Sequence, residues 1–371
     1  MNYIVEYLPS FGLYIGVLLI SWTLARFAEG SKSNRMLPLA VLILVLSLFS
    51  GLRAFSVGID TQSYVNHTFV PIHQGMFSHA YGEVGFKALI YIILTVFNNY
   101  TVVFVGLSFI IVSLFVFRFW ELRNKINFSL AVVMFYCVIY LSIFNTIRQL
   151  LATAIVFWVS RYLLERKYFK YILGVLIATL FHTAALVSIC LILVREFLSN
   201  KEKITARNLF FKFILIVGSV FFVYLFFQLE RVQFYMQTYA NSGVVLGGSM
   251  AYLKLFAVIA IELLGLIINS CHYKKSVVAC QSGKDTTELS CCRTIYLMSL
   301  IISIFGYYFL YVGRVAELFF VFEIMYLLYK TDYPLLNQIK RSYGLMISLY
   351  TIISVLNANG YGIMPYMFIF T

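Results

Sequence analysis

Two side chains that carry charge or can titrate interrupt otherwise apolar stretches of this sequence. Arg148, followed by Gln149, opens one apolar run, and His182 lies in the middle of another. An ionisable group at membrane depth costs about 2.5–3.5 kcal/mol on insertion scales, which makes each of them a functional candidate. Arginine is always charged and forks onto phosphate oxygens, so Arg148 suits an anionic lipid headgroup. A neutral imidazole is available near neutral pH, so His182 suits a general base.

Both side chains also have an ordinary structural interpretation, which the residues alone leave open. An arginine at a helix end commonly extends its charged group to the membrane surface while its stem stays in the apolar layer, and Arg148 fits that description. A histidine inside a helix bundle commonly serves as an interhelical hydrogen-bonding group, and His182 fits that one.

A second group of polar residues follows the end of another apolar run. Arg53 ends the run, Gly58 permits a tight turn, and Asp60 and Tyr64 follow. Asp60 is either a carboxylate at a wet membrane mouth that can accept a proton from a substrate hydroxyl, or an ordinary residue of an interfacial turn. A carboxylate is a weaker base than imidazole unless burial raises its pKa. His182 is therefore the favoured base, and Asp60 is predicted to bind or orient the molecule that carries this hydroxyl.

A third group lies near the end of the sequence. Gly313 allows a tight turn between two apolar runs, and Arg314 and Glu317 are three residues apart on one helical face, where they can pair. Arg314 is predicted to bind the same anionic group as Arg148, with Arg53 as a weaker third contributor. No metal site is predicted, because the Cys and His residues in or beside one loop match no zinc spacing. These residues are Cys271, His272, Cys280, Cys291 and Cys292.

The composition defines the kind of scaffold that must hold these groups. Hydrophobic residues make up 62% of the 371 residues and charged residues 12%, against about 45–50% and 25% in soluble domains. The chain is therefore predicted to be an all-α polytopic membrane protein with a single membrane domain over residues 1–371. Its net charge of +13 comes from Lys and Arg residues in short loops, as the positive-inside rule requires, which excludes nucleic acid as a partner.

The order of apolar and basic segments predicts a topology with about 11–14 transmembrane or re-entrant helices. The long, cation-poor segments 56–82 and 228–250 are predicted to be non-cytoplasmic loops. Clusters of Lys and Arg predict four cytoplasmic segments. These segments are 26–35, 118–125, 161–170 and 195–212.

Two basic segments on the same side of the membrane must be separated by an even number of spans. The number of apolar runs is odd in two of the gaps between these segments, so not every run can be a simple span if all four segments are cytoplasmic. The run at 84–97 is short for a span, which needs about 20 residues, and we expect the run at 171–194 to break near His182 into two half-helices. Re-entrant backbone is tolerated in a membrane only where it is buried in protein or lines a wet cavity, so a cavity is expected there. The alternative is that one basic segment violates the positive-inside rule.

Five short motifs, taken in order, resemble the EpsG family of bacterial polysaccharide polymerases of the Wzy type. The resemblance covers nearly the whole chain. The chain departs from the family at Ile59, where Thr is common, and at the Phe pair 319–320, where Tyr-Phe is usual. The motifs are Arg53…Gly58-x-Asp60…Tyr64, Ile147-Arg148-Gln149, Phe181-His182-Thr183-Ala184, Gly313-Arg314-Val315 with Phe319-Phe320, and Pro365-Tyr366.

The resemblance implies a multi-pass glycosyltransferase of the bacterial inner membrane, laid out like the lipid-dependent membrane glycosyltransferases and needing no metal or other cofactor. Its donor and acceptor would be undecaprenyl-pyrophosphate-linked oligosaccharides, and a chain-length regulator is a possible partner. The product would be an O-antigen, capsule or exopolysaccharide, with release of undecaprenyl pyrophosphate. The implied catalytic residues are His182 and Asp60. The implied substrate-binding residues are Arg53, Arg148, Gln149, Arg314, Tyr64 and Glu317.

Two other classes of protein are compatible with arginines around a wet membrane cavity. A flippase or transporter of lipid-linked oligosaccharide would need two pseudo-symmetric halves, which the sequence does not show. A membrane acyltransferase would normally bring its histidine and arginine together near the start of the chain.

Overall fold

The computed structural model of the protein describes residues 3–30, 35–198, 248–273, 283–306, 310–359 and 361–370. These residues are predominantly helical and contain no β-strand, which confirms the predicted all-α fold. A lone β-bridge joins Arg53 and Phe368. Among the described helices, four are long and apolar enough to cross a membrane. Their apolar stretches are Leu8–Gly30, Tyr100–Glu121, Ile147–Leu164 and Thr287–Ile304.

The chain divides into two compact units. The first comprises Met1–Trp158, Ile177–Thr183 and Arg341–Thr371, and the second comprises Val159–Leu176 and Ala184–Lys340. Residues of three helices are divided between the two units: Ile147–Leu164, Tyr168–Thr179 and Pro334–Ala358.

Asparagines set the helix boundaries in the first unit. Asn98 ends the helix Val84–Phe97 in the left-handed conformation, with φ of 49°. The side chain of Asn99 then caps the helix Tyr100–Glu121 by accepting the N–H of Thr101 at 2.8 Å. Polar side chains of this kind satisfy the N–H groups that a helix N-terminus leaves without partners.

The core of the first unit is built by the helix Met36–Gly51, which lies against Leu8–Gly30 on one side and Tyr100–Glu121 on the other. A Cβ atom at Gly51 would lie 2.5 Å from the Cα of Val105, so only glycine allows this backbone approach. The shorter apolar helices of the described chain are Met36–Gly51, Val84–Phe97, Phe128–Val138 and Tyr168–Thr179.

The predicted loop 56–82 contains a helical segment with one buried face. It runs through Thr61–Tyr64, a π-helical turn at Val65–Phe69, and Val70–His73. The buried positions recur every three or four residues, at Thr61, Tyr64, Val65, Thr68, Phe69 and Ile72. Of the other predicted loop, residues 228–247 lie outside the described residues, and Gly248 begins a helix.

In the second unit, the helix Gly283–Gly306 packs against four other described helices, Leu191–Leu198, Gly248–Tyr273, Leu310–Glu317 and Val321–Leu328. Two ion pairs tie these helices together. Lys254 Nζ lies 2.8 Å from the carboxylate of Glu323, and Arg293 Nη1 lies 2.6 Å from that of Glu262.

Candidate functional site

A single carboxylate joins three separate segments of the first unit. Glu83 immediately precedes the helix Val84–Phe97. Its Oε2 accepts a 2.6 Å hydrogen bond from Nη1 of Arg148. Its Oε1 accepts the backbone N–H and the hydroxyl of Thr183, each at 3.4 Å, and lies 3.6 Å from Nδ1 of His182. The two predicted functional groups, Arg148 and His182, therefore share one acidic neighbour.

The charge of Glu83 is strongly stabilised by these neighbours. Burial alone raises the pKa of this carboxyl group, but the imidazole of His182 and the guanidinium of Arg148 more than offset that effect. The net result lowers the pKa of Glu83 from 4.5 to about 2. The carboxylate is therefore ionised throughout the physiological range and balances the positive charge of Arg148.

Aromatic rings surround the guanidinium of Arg148. Its central carbon lies 4.4 Å from the ring centroid of Tyr81 and 6.0 Å from those of Tyr64 and Phe86. Such contacts hold a cation electrostatically and restrict its orientation. Among the described residues, the buried Nε of Arg148 has no hydrogen-bond partner. The arrangement thus fixes a positive charge and leaves one buried donor without a hydrogen bond among the described residues.

His182 lies at a break between helices, as the sequence predicted. The helix Tyr168–Thr179 ends just before it, and a 3₁₀-helix, Thr183–Cys190, begins just after it. The carbonyl of Leu180 accepts the N–H groups of Gly85 and Phe86, at 2.9 and 3.3 Å. The break therefore satisfies donors at the N-terminus of the helix Val84–Phe97.

The close approach of the break to that helix depends on glycine. A Cβ atom at Gly85 would lie 2.7 Å from the Cβ of Leu180 and 2.9 Å from its carbonyl oxygen. Gly82 has φ of +119°, a conformation that other residues rarely adopt, and it turns the chain beside the side chain of Arg148. The two glycines together place Glu83 between Arg148 and His182.

Arg53 is fully buried and holds a neighbouring loop. Its Nε donates to the hydroxyl of Thr61 at 3.2 Å, and its Nη1 donates to the carbonyl of Ser50. Its guanidinium lies 4.5 Å from the ring centroid of Phe104 and 5.0 Å from that of Phe144. In this structure Arg53 therefore organises the turn that carries Asp60. Its predicted contact with substrate stays a prediction.

Asp60 is half-buried at the start of the helical segment. Its backbone N–H donates to the side-chain oxygen of Asn145 at 3.2 Å, and the Asn145 amide donates to the carbonyl of Tyr361 at 2.9 Å. The backbone of Ile59 also donates to that carbonyl, at 3.1 Å. Asn145 lies three residues before Arg148, so this network connects the Asp60 turn to the start of the arginine-bearing helix.

The predicted site residues therefore fall into three places. Arg148, His182 and Tyr64 lie at the Glu83 cluster, by which we mean Tyr64, Tyr81, Glu83, Arg148, His182 and Thr183. Gln149 follows Arg148 in the sequence and is buried. Arg53 and Asp60 belong to the adjoining turn. Arg314 and Glu317 are half-buried in the helix Leu310–Glu317 of the second unit.

Glu83, Tyr81 and Thr183 were not predicted as site residues. The sequence offered one signal for Glu83, an acidic residue directly between a glycine and an apolar run, but that signal does not identify its partner 65 positions away. Within the described part of the chain, no group of three or more His, Cys, Asp and Glu residues could hold a metal ion.

These features define an all-α membrane protein with a buried cluster of charged side chains beside a helix break. The chain belongs to the EpsG family, because the model of that family matches residues 36–368, nearly its whole length. Members of this family are polysaccharide polymerase-like proteins of the Wzy type. Comparisons with curated proteins and with solved structures gave no match.

Proposed function

We propose that this protein joins undecaprenyl-pyrophosphate-linked oligosaccharide repeat units at the outer face of the bacterial inner membrane. A hydroxyl oxygen of one lipid-linked repeat attacks the anomeric carbon of the reducing-end sugar of the growing chain. The bond from that carbon to the diphosphate breaks, and its electron pair leaves with undecaprenyl pyrophosphate. The observation that carries the proposal is the Glu83 cluster, which puts a fixed cation and an imidazole around one carboxylate.

Arg148 is the group that stabilises the leaving diphosphate. Glu83 occupies its Nη1, and the buried Nε remains to donate to a phosphate oxygen. Because the rings and the carboxylate fix the guanidinium beforehand, little reorganisation is needed as charge develops on the leaving group. Preorganised donors of this kind are worth about 2.7–4 kcal/mol each in the transition state.

His182 is the base that takes the proton of the attacking hydroxyl. Its Nδ1 lies 3.6 Å from Oε1 of Glu83, and we assign its Nε2 as the nitrogen that accepts the proton. The 3.6 Å separation is longer than a hydrogen bond. Catalytic hydrogen bonds commonly tighten when substrate binds, and we expect this one to shorten in the complex. Glu83 then stabilises the imidazolium that forms.

Asp60 and Tyr64 are assigned to the acceptor, which they bind or orient beside the base. Gln149, Arg314 and Glu317 are proposed to contribute to binding of the lipid-linked substrates. For Arg53 the proposal is narrower: the buried guanidinium holds the Asp60 turn in place.

Reconstitution tests the reaction directly. Purified protein in nanodiscs would be incubated with lipid-linked repeat units extracted from producing cells that lack this protein, and products separated by gel electrophoresis. We expect a ladder of polymer lengths and release of undecaprenyl pyrophosphate. Arg123→Lys is the matched control for Arg148→Lys. Arg123 also lies over an aromatic ring, 4.6 Å from the centroid of Trp120, but outside the cluster.

Other outcomes of the same assay would contradict the proposal. Movement of the lipid-linked repeat between vesicle leaflets without a ladder would identify a flippase. Transfer of an acyl group without a ladder would identify an acyltransferase. A ladder of equal yield from the His182→Gln, Arg148→Lys and unmodified proteins would show that the cluster is not the catalytic site.

A further inference from the structure

A cleft of about 250 Å³ lies among the helices of the second unit. Its charged lining residues are three cations, Arg293, Lys330 and Lys340, and two acids, Glu262 and Asp332. The lining therefore carries one excess positive charge. Its volume is below the roughly 300–1,000 Å³ of pockets for drug-sized ligands, so it suits a small group.

The ammonium group of Lys340 is the charged group of this cleft that most needs a partner. The side chain lines the cleft, yet the residue is only 2% exposed. Its ammonium lies 4.2 Å from the ring centroid of Tyr326, and among the described residues it makes no hydrogen bond or ion pair. An ammonium group has three donors, and burying it without acceptors is costly. An anion bound in the cleft would neutralise this buried cation and accept its hydrogen bonds.

The carboxylate of Glu262, which also lines the cleft, already accepts hydrogen bonds from other partners. Glu262 accepts a 2.6 Å hydrogen bond from Nη1 of Arg293 on one oxygen and another of 2.6 Å from the hydroxyl of Tyr326 on the other. These bonds fix Arg293 at the cleft and keep the ring of Tyr326 under Lys340. Both oxygens of Glu262 are therefore occupied, and among the described residues Glu262 forms no ion pair with Lys340 within 4.0 Å.

A hydrogen-bonded turn at Thr331 lines part of the cleft. The N–H of Thr331 donates to the side-chain oxygen of Asn337 at 2.8 Å, and the Asn337 amide donates back to the Thr331 carbonyl at 2.7 Å. The turn leads into the 25-residue helix Pro334–Ala358, whose N-terminus carries a partial positive charge. The lining also includes Leu266, which is 62% exposed.

We propose that this cleft, the Lys340 cleft, binds a phosphate group, either of an anionic lipid headgroup or of free phosphate. The phosphate oxygens would accept hydrogen bonds from Lys340 and from the donors of Arg293 not used by Glu262. Basic pockets between membrane helices commonly hold lipid headgroups in this way. The site is independent of the polymerase reaction proposed above.

Two probes separate the two sources of phosphate. Protein in phosphatidylcholine nanodiscs is titrated with sodium phosphate at constant ionic strength, following thermal unfolding by intrinsic fluorescence. In parallel, retention of phosphatidylglycerol over phosphatidylcholine is measured by native mass spectrometry. We expect wild-type protein to bind one of the probes and Lys340→Met to bind it at least about tenfold more weakly. Lys340→Arg keeps the charge and is expected to retain binding.

Lys170→Gln is the matched control, because Lys170 also faces a tyrosine ring, at 5.8 Å from that of Tyr162, but is exposed. It should bind like the wild type. If Lys340→Met does not fold, phosphate or phosphatidylglycerol should still slow acylation of Lys340 in the wild-type protein. Binding of neither probe, equal binding by Lys340→Met, or unchanged acylation would overturn the proposal.

Discussion

The carboxylate of Glu83 and the guanidinium of Arg148 form a 2.6 Å ion pair between residues 65 positions apart in the chain. Both side chains are 11% exposed. Removing one member of a buried pair leaves the other charge without compensation, at a cost of about 3–5 kcal/mol. The pair is therefore a tie between two segments as well as the means by which Arg148 is held in place.

Replacing Glu83 with Gln tests that tie. The amide keeps the shape but removes the charge, so we expect polymer yield to fall by about 10²-fold or more, because small displacements of reacting groups have effects of that size. Yield is measured in the reconstituted assay. Glu121→Gln is the control, since Glu121 pairs with Arg118 at 2.7 Å but its side chain is 45% exposed. The free energy of unfolding of this variant should differ from that of the wild type by about 1 kcal/mol or less. Equal loss in both variants would contradict a special role for Glu83.

The low pKa of Glu83 predicts how stability depends on pH. Its pKa is about 2 in the folded protein against an ordinary value of 4.5. The unfolded chain binds more protons between these values, so the stabilisation is complete above the ordinary pKa and is lost as pH falls towards 2. Thermal unfolding in detergent from pH 6 to pH 3 should fall more steeply for the wild type than for Glu83→Gln. Parallel curves would argue against the ion pair.

Lysine should replace Arg148 poorly. It keeps the positive charge, but its ammonium cannot occupy Glu83 and a phosphate oxygen with the same fixed geometry. We expect the turnover of Arg148→Lys to fall by about 10²–10³-fold. Donor affinity, measured separately with labelled lipid-linked repeat, shows whether binding or turnover is lost. Polymer of normal length and yield from Arg148→Lys would rule out the proposed contact of Arg148 with the diphosphate.

His182→Gln and Asp60→Asn distinguish the base from the acceptor-orienting group. General-base catalysis contributes about 10²–10⁴-fold, so His182→Gln should bind donor normally and lose turnover by that factor. Asp60→Asn should weaken acceptor binding more than turnover at saturating acceptor. If His182→Gln keeps near-normal turnover while Asp60→Asn binds both substrates and makes no polymer, the two roles are reversed.

Gly85→Ala should disturb the cluster without removing any of its groups. The new Cβ atom would meet Leu180, so the helix break must shift, at a cost of about 1–3 kcal/mol. We expect reduced polymer yield with retained donor binding. Gly16→Ala is the control, because a Cβ atom there has no neighbour within 4 Å. An active Gly85→Ala protein would mean that the break tolerates displacement.

Much of the fold followed from composition and from interruptions in the apolar runs. The all-α architecture was predicted because apolar runs recur throughout, and the break near His182 was predicted because a polar residue interrupts one of them. The helical segment within residues 56–82 was not predicted, although its buried positions from Thr61 to Ile72 follow a helical period. The three histidines and other polar residues of that segment obscured the period.

The candidate site was only partly accessible from sequence, because pairing between distant segments depends on packing. Arg148 and His182 attracted attention through the cost of placing them in an apolar environment. Glu83 carries no such signal, since an acidic residue at the end of an apolar run is ordinary. The position of Glu83 depends on Gly82 and Gly85. The need for glycine at these two positions is evident only from the structure, where Leu180 lies against Gly85 and Arg148 lies beside Gly82.

The turn that carries Asp60 obtains several of its hydrogen bonds from a much later part of the chain. Ala54 and Gly58 donate to the carbonyls of Met367 and Gly362, and the Tyr366 hydroxyl donates to the carbonyl of Phe49, 317 residues away. A ribosome must therefore translate both compact units before these bonds can form. Early spans enter the membrane before residues 362–367 have been made, so the turn that carries Asp60 lacks these hydrogen bonds during that time.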